Sequence, residues 1–192
     1  MKETILIAII FVFIYLFLFY NKRNVILVKG RDNNKYLVYN DNLKQDAAVL
    51  LNDIIDNMFK LRDYLYENKS DYPEYQKYII LLNNNLNKDR SIIYENDPKS
   101  NLTSFSVNKG EEIAFCLKSK RNGKLHKLNL LMYVAIHEMA HLACPEIGHT
   151  ELFIKIFKFL TEVSMEIGVY KLTDYQQNPV EYCGMMLSNS VV

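Results

Sequence analysis

The stretch from His137 to His149, HEMAHLACPEIGH, constrains the fold more than any other part of the chain. It opens with His-Glu-x-x-His. In an α-helix, residues four apart stand one turn apart on the same face, so His137 and His141 project from one side. Pro145 cannot continue that helix, Gly148 permits a sharp turn, and a new apolar periodic run opens at Phe153. Two consecutive helices must therefore lie side by side, joined by a short reversal that carries His149. Three of the chain's four histidines fall within this stretch.

Two imidazoles on one helical face can reach a single tetrahedral ion, and a third nitrogen completes the three-ligand set of a catalytic zinc. His137, His141 and His149 are the expected ligands of a Zn2+ ion. Cys144, seven residues after His137 and on the same face, remains an alternative third ligand, as do Glu146 and Glu151. Glu138 sits beside the first ligand, where a carboxylate can deprotonate an activated water without occupying the metal; it is the expected catalytic residue. A buried helix whose histidines merely hydrogen-bond in the core is the bland account, but it would bury three imidazoles and a carboxylate unpaired. Tyr133 and Tyr182 are candidates for steadying an oxyanion. With 14 tyrosines in the chain, packing is the simpler account of both.

Thr4–Tyr20 is uncharged and almost wholly apolar. As a helix its 17 residues rise about 25 Å, the short end of what spans a bilayer. We read it as a transmembrane anchor, followed by one domain over residues 21–192. Lys22, Arg23, Lys29 and Arg31 follow the span, which places the domain on the cytoplasmic side by the positive-inside rule, or at a virion membrane if the protein is viral. Two sequons, at Asn68 and Asn101, would be modified only in the opposite orientation. The net charge of +1, without a long basic run, gives no reason to expect a nucleic-acid partner. Cys116, Cys144 and Cys183 form an odd set without disulfide-like spacing, so free thiols are expected, with Cys183 a structural one.

The remaining pattern predicts α+β. A hairpin, Val25–Val28 and Tyr36–Tyr39, precedes a helix capped by Asp41 or Asn42, with a stripe at Ala47, Leu50, Leu51, Ile54, Met58, Leu61 and Leu65. Asp71-Tyr-Pro-Glu74 reads as a capping box opening a second helix. Short strands are expected at Ile92–Tyr94, Thr103–Val107 and Ile113–Leu117, with Lys109-Gly110 a turn. Residues 119–124 form a basic loop, with His126 at the surface after it. The site helix spans Asn129–Ala143, Thr150 caps the next, and Gly168 closes it. The tail from Tyr170 shows no clear periodicity.

His137-Glu-x-x-His141, the reversal and His149-Thr-Glu-Leu-Phe153 resemble the SprT and WLM groups of zinc metallopeptidases. Over a wider span, residues 103–110, 115–119, 134–141, 148–150 and 182–184 resemble an uncharacterised set of membrane-anchored proteins from large DNA viruses and some algae. The resemblance implies a zincin-like fold, a small antiparallel sheet packed on helices around a central metal helix. It also implies an edge strand pairing with substrate, for which Ile113–Leu117 is the candidate, and a virion or host-membrane location. The function expected is a membrane-anchored zinc peptidase acting on a protein or peptide. The rival expectations are a non-enzymatic membrane or virion protein with a structural zinc, and an amidase acting on other carbonyls.

Overall fold

The computed structural model describes residues 24–188, together with residues 11 and 12. Seven strands and four helices alternate along the described residues: β1 (Val25–Lys29), β2 (Lys35–Tyr39), α1 (Lys44–Glu67), α2 (Gln76–Asn85), β3 (Ile92–Glu95), β4 (Phe105–Val107), β5 (Glu112–Phe115), α3 (Leu128–Ala143), α4 (Glu151–Glu166), β6 (Val180–Tyr182) and β7 (Met185–Leu187). No helix among them is long and apolar enough to cross a membrane; the expected anchor at Thr4–Tyr20 lies outside the described residues, Phe11 and Val12 apart.

The sheet is mixed, not antiparallel as expected. Its order is β1-β2-β3-β5-β4, with β1/β2 and β4/β5 antiparallel and both β2/β3 and β3/β5 parallel. The physical reason lies in the connection: α1 and α2 cross over between β2 and β3, and a crossover returns a strand parallel where a tight turn returns it antiparallel. A buried ion cluster ties the sheet to the loop after β5. The Lys118 ammonium lies 2.8 Å from the Glu95 carboxylate and 2.9 Å from Asp41, while Glu95 also accepts the Tyr39 N–H.

The helices form where apolar spacing demands. The α1 stripe buries Ala47, Leu51, Ile54, Met58, Leu61 and Leu65 completely, each larger side chain contributing about 1.5–3 kcal/mol. Neither predicted cap acts as one. Leu43 precedes α1 without a side-chain cap, and Asp41 instead accepts the Leu43 N–H and pairs with Lys118. Asp71 falls in a 3-10 turn, and α2 starts at Gln76, later than the capping-box pattern suggested. Tyr75, just before it, stacks on Phe159 of α4 with ring centroids 3.9 Å apart. Helix α3 is buried nearly all round, as its unbroken apolar character requires.

The tail folds back as a two-stranded hairpin, β6–β7, turning at Cys183-Gly184. A disulfide joins Cys183 to Cys116 just beyond β5, correcting the expectation of free thiols; Cys144 alone is free, and buried. His126 is a second correction. It is buried rather than at the surface, and its Nε2 accepts the Cys183 N–H at 3.2 Å. Burial lowers its pKa, which suits a neutral acceptor.

Candidate metal centre

Helix α3 carries His137 and His141 one turn apart. It stops at Ala143 because Pro145 cannot extend it, and Gly148, with φ of +85°, completes the reversal. Thr150 then starts α4 as a true N-cap, its hydroxyl accepting the Phe153 N–H at 3.3 Å. That cap fixes the angle at which α4 leaves and leaves His149 on the inner side of the corner. The three imidazoles converge: Nε2 of His137 stands 3.2 Å from Nε2 of His141 and 3.1 Å from Nε2 of His149.

These edges suit a cation. Zinc–nitrogen bonds of about 2.0–2.1 Å at tetrahedral angles place neighbouring nitrogens about 3.3 Å apart. All three donor atoms lie within 4.8 Å of one another, so the triad could hold a metal ion. Burial, and then the neighbouring His141 and His149, push the His137 pKa down to about 3. Burial, then His149 and Lys109, push His141 down to about 4. Neutral rings keep their lone pairs, and a lone pair is what a metal needs. In the tautomer that keeps its N–H on Nδ1, each neutral ring offers an Nε2 lone pair to one shared point, a donor set that fits zinc.

The floor beneath the triad is Phe153, which is buried. Its ring centroid lies 4.2 Å from that of His141, 4.8 Å from His149 and 5.0 Å from His137. Phe157 supports His137 from the next turn of α4. The rings therefore rest on packed aromatics, which limits their rotamers. None of the alternative third ligands joins the cluster among the described residues. Cys144 packs in the hydrophobic core, the Glu146 carboxylate bonds the Thr150 hydroxyl, and Glu151 is exposed in the first turn of α4.

Glu138 is 5% exposed and lines the same cleft as the three histidines. Burial raises its pKa to about 7, against a hydrogen bond from Ser106 that lowers it. The cleft encloses about 770 Å³. One wall is β4 and its approach, from Thr103 to Ser106; another is the tail hairpin, through Tyr182, Met185 and Leu187. The edge strand at the site is thus β4. The predicted candidate, β5, lies inside the sheet between β3 and β4. Sequence pattern could not separate two short adjacent strands by position.

The two tyrosine candidates divide. Tyr133 packs among Phe157, Tyr170 and Tyr175, although it also borders the cleft. Tyr182 is held differently: its hydroxyl bonds the Ser104 hydroxyl, which in turn accepts the Cys116 N–H at 3.1 Å. Burial drives its pKa well above the usual phenol value, so the hydroxyl keeps its proton.

Among known proteins, an uncharacterised protein of Acanthamoeba polyphaga mimivirus is 46% identical over 160 residues, covering 83% of this chain and 80% of that protein. This chain belongs to the same family as that mimivirus protein. An uncharacterised protein of Invertebrate iridescent virus 6 is 37% identical over 97 residues, 50% of this chain and 52% of the relative. A third viral relative, from Invertebrate iridescent virus 3, is 36% identical over 67 residues, 35% of this chain and 42% of the relative. No protein-family model matches the chain. Among solved structures, the crystal structure of Wss1 from Saccharomyces cerevisiae aligns with a TM-score of 0.38 at 19% identity, over 53% of this chain and 82% of that one.

Proposed function

We propose that this protein is a zinc-dependent peptidase, with His137, His141 and His149 as ligands and Glu138 as general base. The single observation that carries the reading is Glu138, a carboxyl buried in the wall of the triad's cleft. A zinc that only stapled α3 to α4 would have no use for a proton acceptor there.

A zinc ion bound by the triad supplies a Lewis acid and makes water acidic enough to ionise near neutral pH. With the triad loaded, Glu138 would be placed to accept a proton from the attacking water and to deliver it to the amine nitrogen that leaves. The wall formed by β4 offers an extended peptide an edge on which to add as a strand. Tyr182, protonated and lining the cleft beside Ser104, is a donor for the developing oxyanion.

We also propose that residues 4–20 tether the domain to a membrane, with residues 21–192 on the cytoplasmic side or at a virion membrane. The basis is the uncharged apolar run and the basic residues after it. Comparing the purified full-length protein with its Glu138→Gln variant tests the peptidase reading. Equal zinc content with cleavage of a broad peptide pool reduced by about 10²-fold or more supports it. Full zinc in the wild type with no cleavage leaves a structural zinc protein.

A further inference from the structure

The reversal that delivers His149 has little holding it. Residues 145–149 make no backbone–backbone hydrogen bond among the described residues, and Ile147 at its tip is 91% exposed. Yet His149 must stand within about 3.3 Å of its neighbours for the triad to grip an ion. The side chain that fixes the reversal comes from elsewhere. The Lys109 ammonium donates to the carbonyls of Cys144 at 2.6 Å, Glu146 at 2.9 Å and His141 at 3.3 Å. An ammonium has three N–H donors, and here each has an acceptor.

The placement arises from the chain's own chemistry. Helix α3 ends with unpaired carbonyls and the negative end of its dipole, which a cation satisfies. Asn85 donates to the Leu142 carbonyl at 2.8 Å, and Lys109 donates to those of His141, just before it, and Cys144, two residues after it. Lys109 lies in the β4–β5 turn, where Asn108, Lys109 and Gly110 all have positive φ (47°, 54° and 101°). Arg90 holds that turn, donating to the carbonyls of Asn108 at 2.7 Å and Lys109 at 3.1 Å. Gly110 lies so close to α3 that an added Cβ would meet Leu142 at 2.8 Å. The turn is thus pressed against the end of the metal helix, and its lysine reaches past that end to the reversal.

We propose that Lys109 is the positioning residue of the metal centre: by pinning the carbonyls of residues 144 and 146 to the end of α3, it sets where His149 stands. This rests on the triad being a metal site, and it adds a residue outside the His-Glu-x-x-His stretch to the determinants of affinity. It acts through His149 and not through the helix alone.

The test is a double-mutant cycle on zinc affinity in the full-length protein, measured by chelator competition. Lys109→Met keeps the stem and removes the donors. It should weaken zinc binding about 10–100-fold, the usual effect of losing a residue that orients a ligand. In a His149→Ala background the same change should cost nothing further. Equal loss in both backgrounds would mean that Lys109 merely caps α3, and no loss in the wild-type background would also overturn the proposal. Should Lys109→Met not fold, Lys109→Leu, which also removes the donors, is read the same way. Backbone order parameters of residues 146–149 in the metal-free protein should fall in the variant while those of α3 stay unchanged; unchanged values at 146–149 count against the clamp. Because neither measurement uses peptide cleavage, a protein that binds zinc tightly but cleaves nothing sinks the peptidase reading and leaves Lys109 in place.

Discussion

Removing the Cys116–Cys183 bridge should cost much of the fold's stability and loosen one wall of the cleft while leaving the metal triad assembled. The bridge closes a loop across a sequence separation of 67. The chain-entropy relation for a loop of that length gives about 4.4 kcal/mol at 25 °C, a large share of the stability of an ordinary domain. The local contacts decide which parts of the molecule loosen. Cys183 donates its N–H to His126, Tyr182 bonds Ser104, and Ser104 accepts the N–H of Cys116 itself. The bridge therefore holds together a cluster that pins β6–β7 against β4 and β5. His137, His141 and His149 depend instead on α3, α4, Phe153 and the Lys109 clamp, and among the described residues none of these side chains hydrogen-bonds either cysteine of the bridge. The perturbation is Cys116→Ala with Cys183→Ala, compared with wild type in dithiothreitol, and the assay is urea unfolding monitored by circular dichroism. Both should lose about 4 kcal/mol. Exchange of the amides of residues 180–187 should quicken, zinc should stay bound, and peptide cleavage should fall. A stability loss under about 1 kcal/mol would refute the reasoning that the bridge restrains the unfolded chain. Loss of zinc along with the bridge would show that the tail supports the triad after all.

The metal-free protein should lose stability in acid, with a slope that Glu138 moderates. His137 and His141 have folded pKa values pushed down to about 3 and about 4, so as pH falls below about 6.5 the unfolded chain binds protons the folded chain refuses. Stability then falls by up to about 1.4 kcal/mol per pH unit for each such ring, less for the more exposed His141. Glu138, raised to about 7, carries the opposite sign: between about 4.5 and 7 the folded state holds a proton that the unfolded state has lost. Urea midpoints of the apo protein should therefore drop between pH 6 and 4, and drop more steeply in Glu138→Gln; an unchanged slope in the variant would contradict the assigned shift. Sidedness is open to a direct test as well. With the domain facing the cytoplasm, the exposed sequon residue Asn101 stays unmodified in a eukaryotic host, and a glycan there that disappears in Asn101→Gln would reverse the orientation. The buried disulfide makes this test pointed, because such bridges persist chiefly in oxidising compartments.

What could be read in the sequence was what lies within one helix or one turn of its partner. His137 and His141 are linked by the 3.6-residue period, His149 by a reversal that Pro145 and Gly148 announce, and the α1 stripe by the same period repeated. What could not be read depends on residues far apart in sequence. The parallel pairing of β2 with β3 is decided by where α1 and α2 pack, which no property of strands of four or five residues reveals. The disulfide and His126 escape the sequence together because they belong to one contact: the His126 ring and the Cys116 sulfur meet Cys183 only when the tail, 57 and 67 residues later, folds onto them. Nor does Cys183-Gly184 announce the hairpin that brings the tail there. The turn puts Cys183 at φ of +51°, where hairpins ordinarily use asparagine or glycine. A cysteine at such a position satisfies no local preference. It is explained by Cys116 across the cleft wall, and an odd cysteine count conceals that pairing as long as Cys144, lying between His141 and His149 in sequence, is counted with the other two.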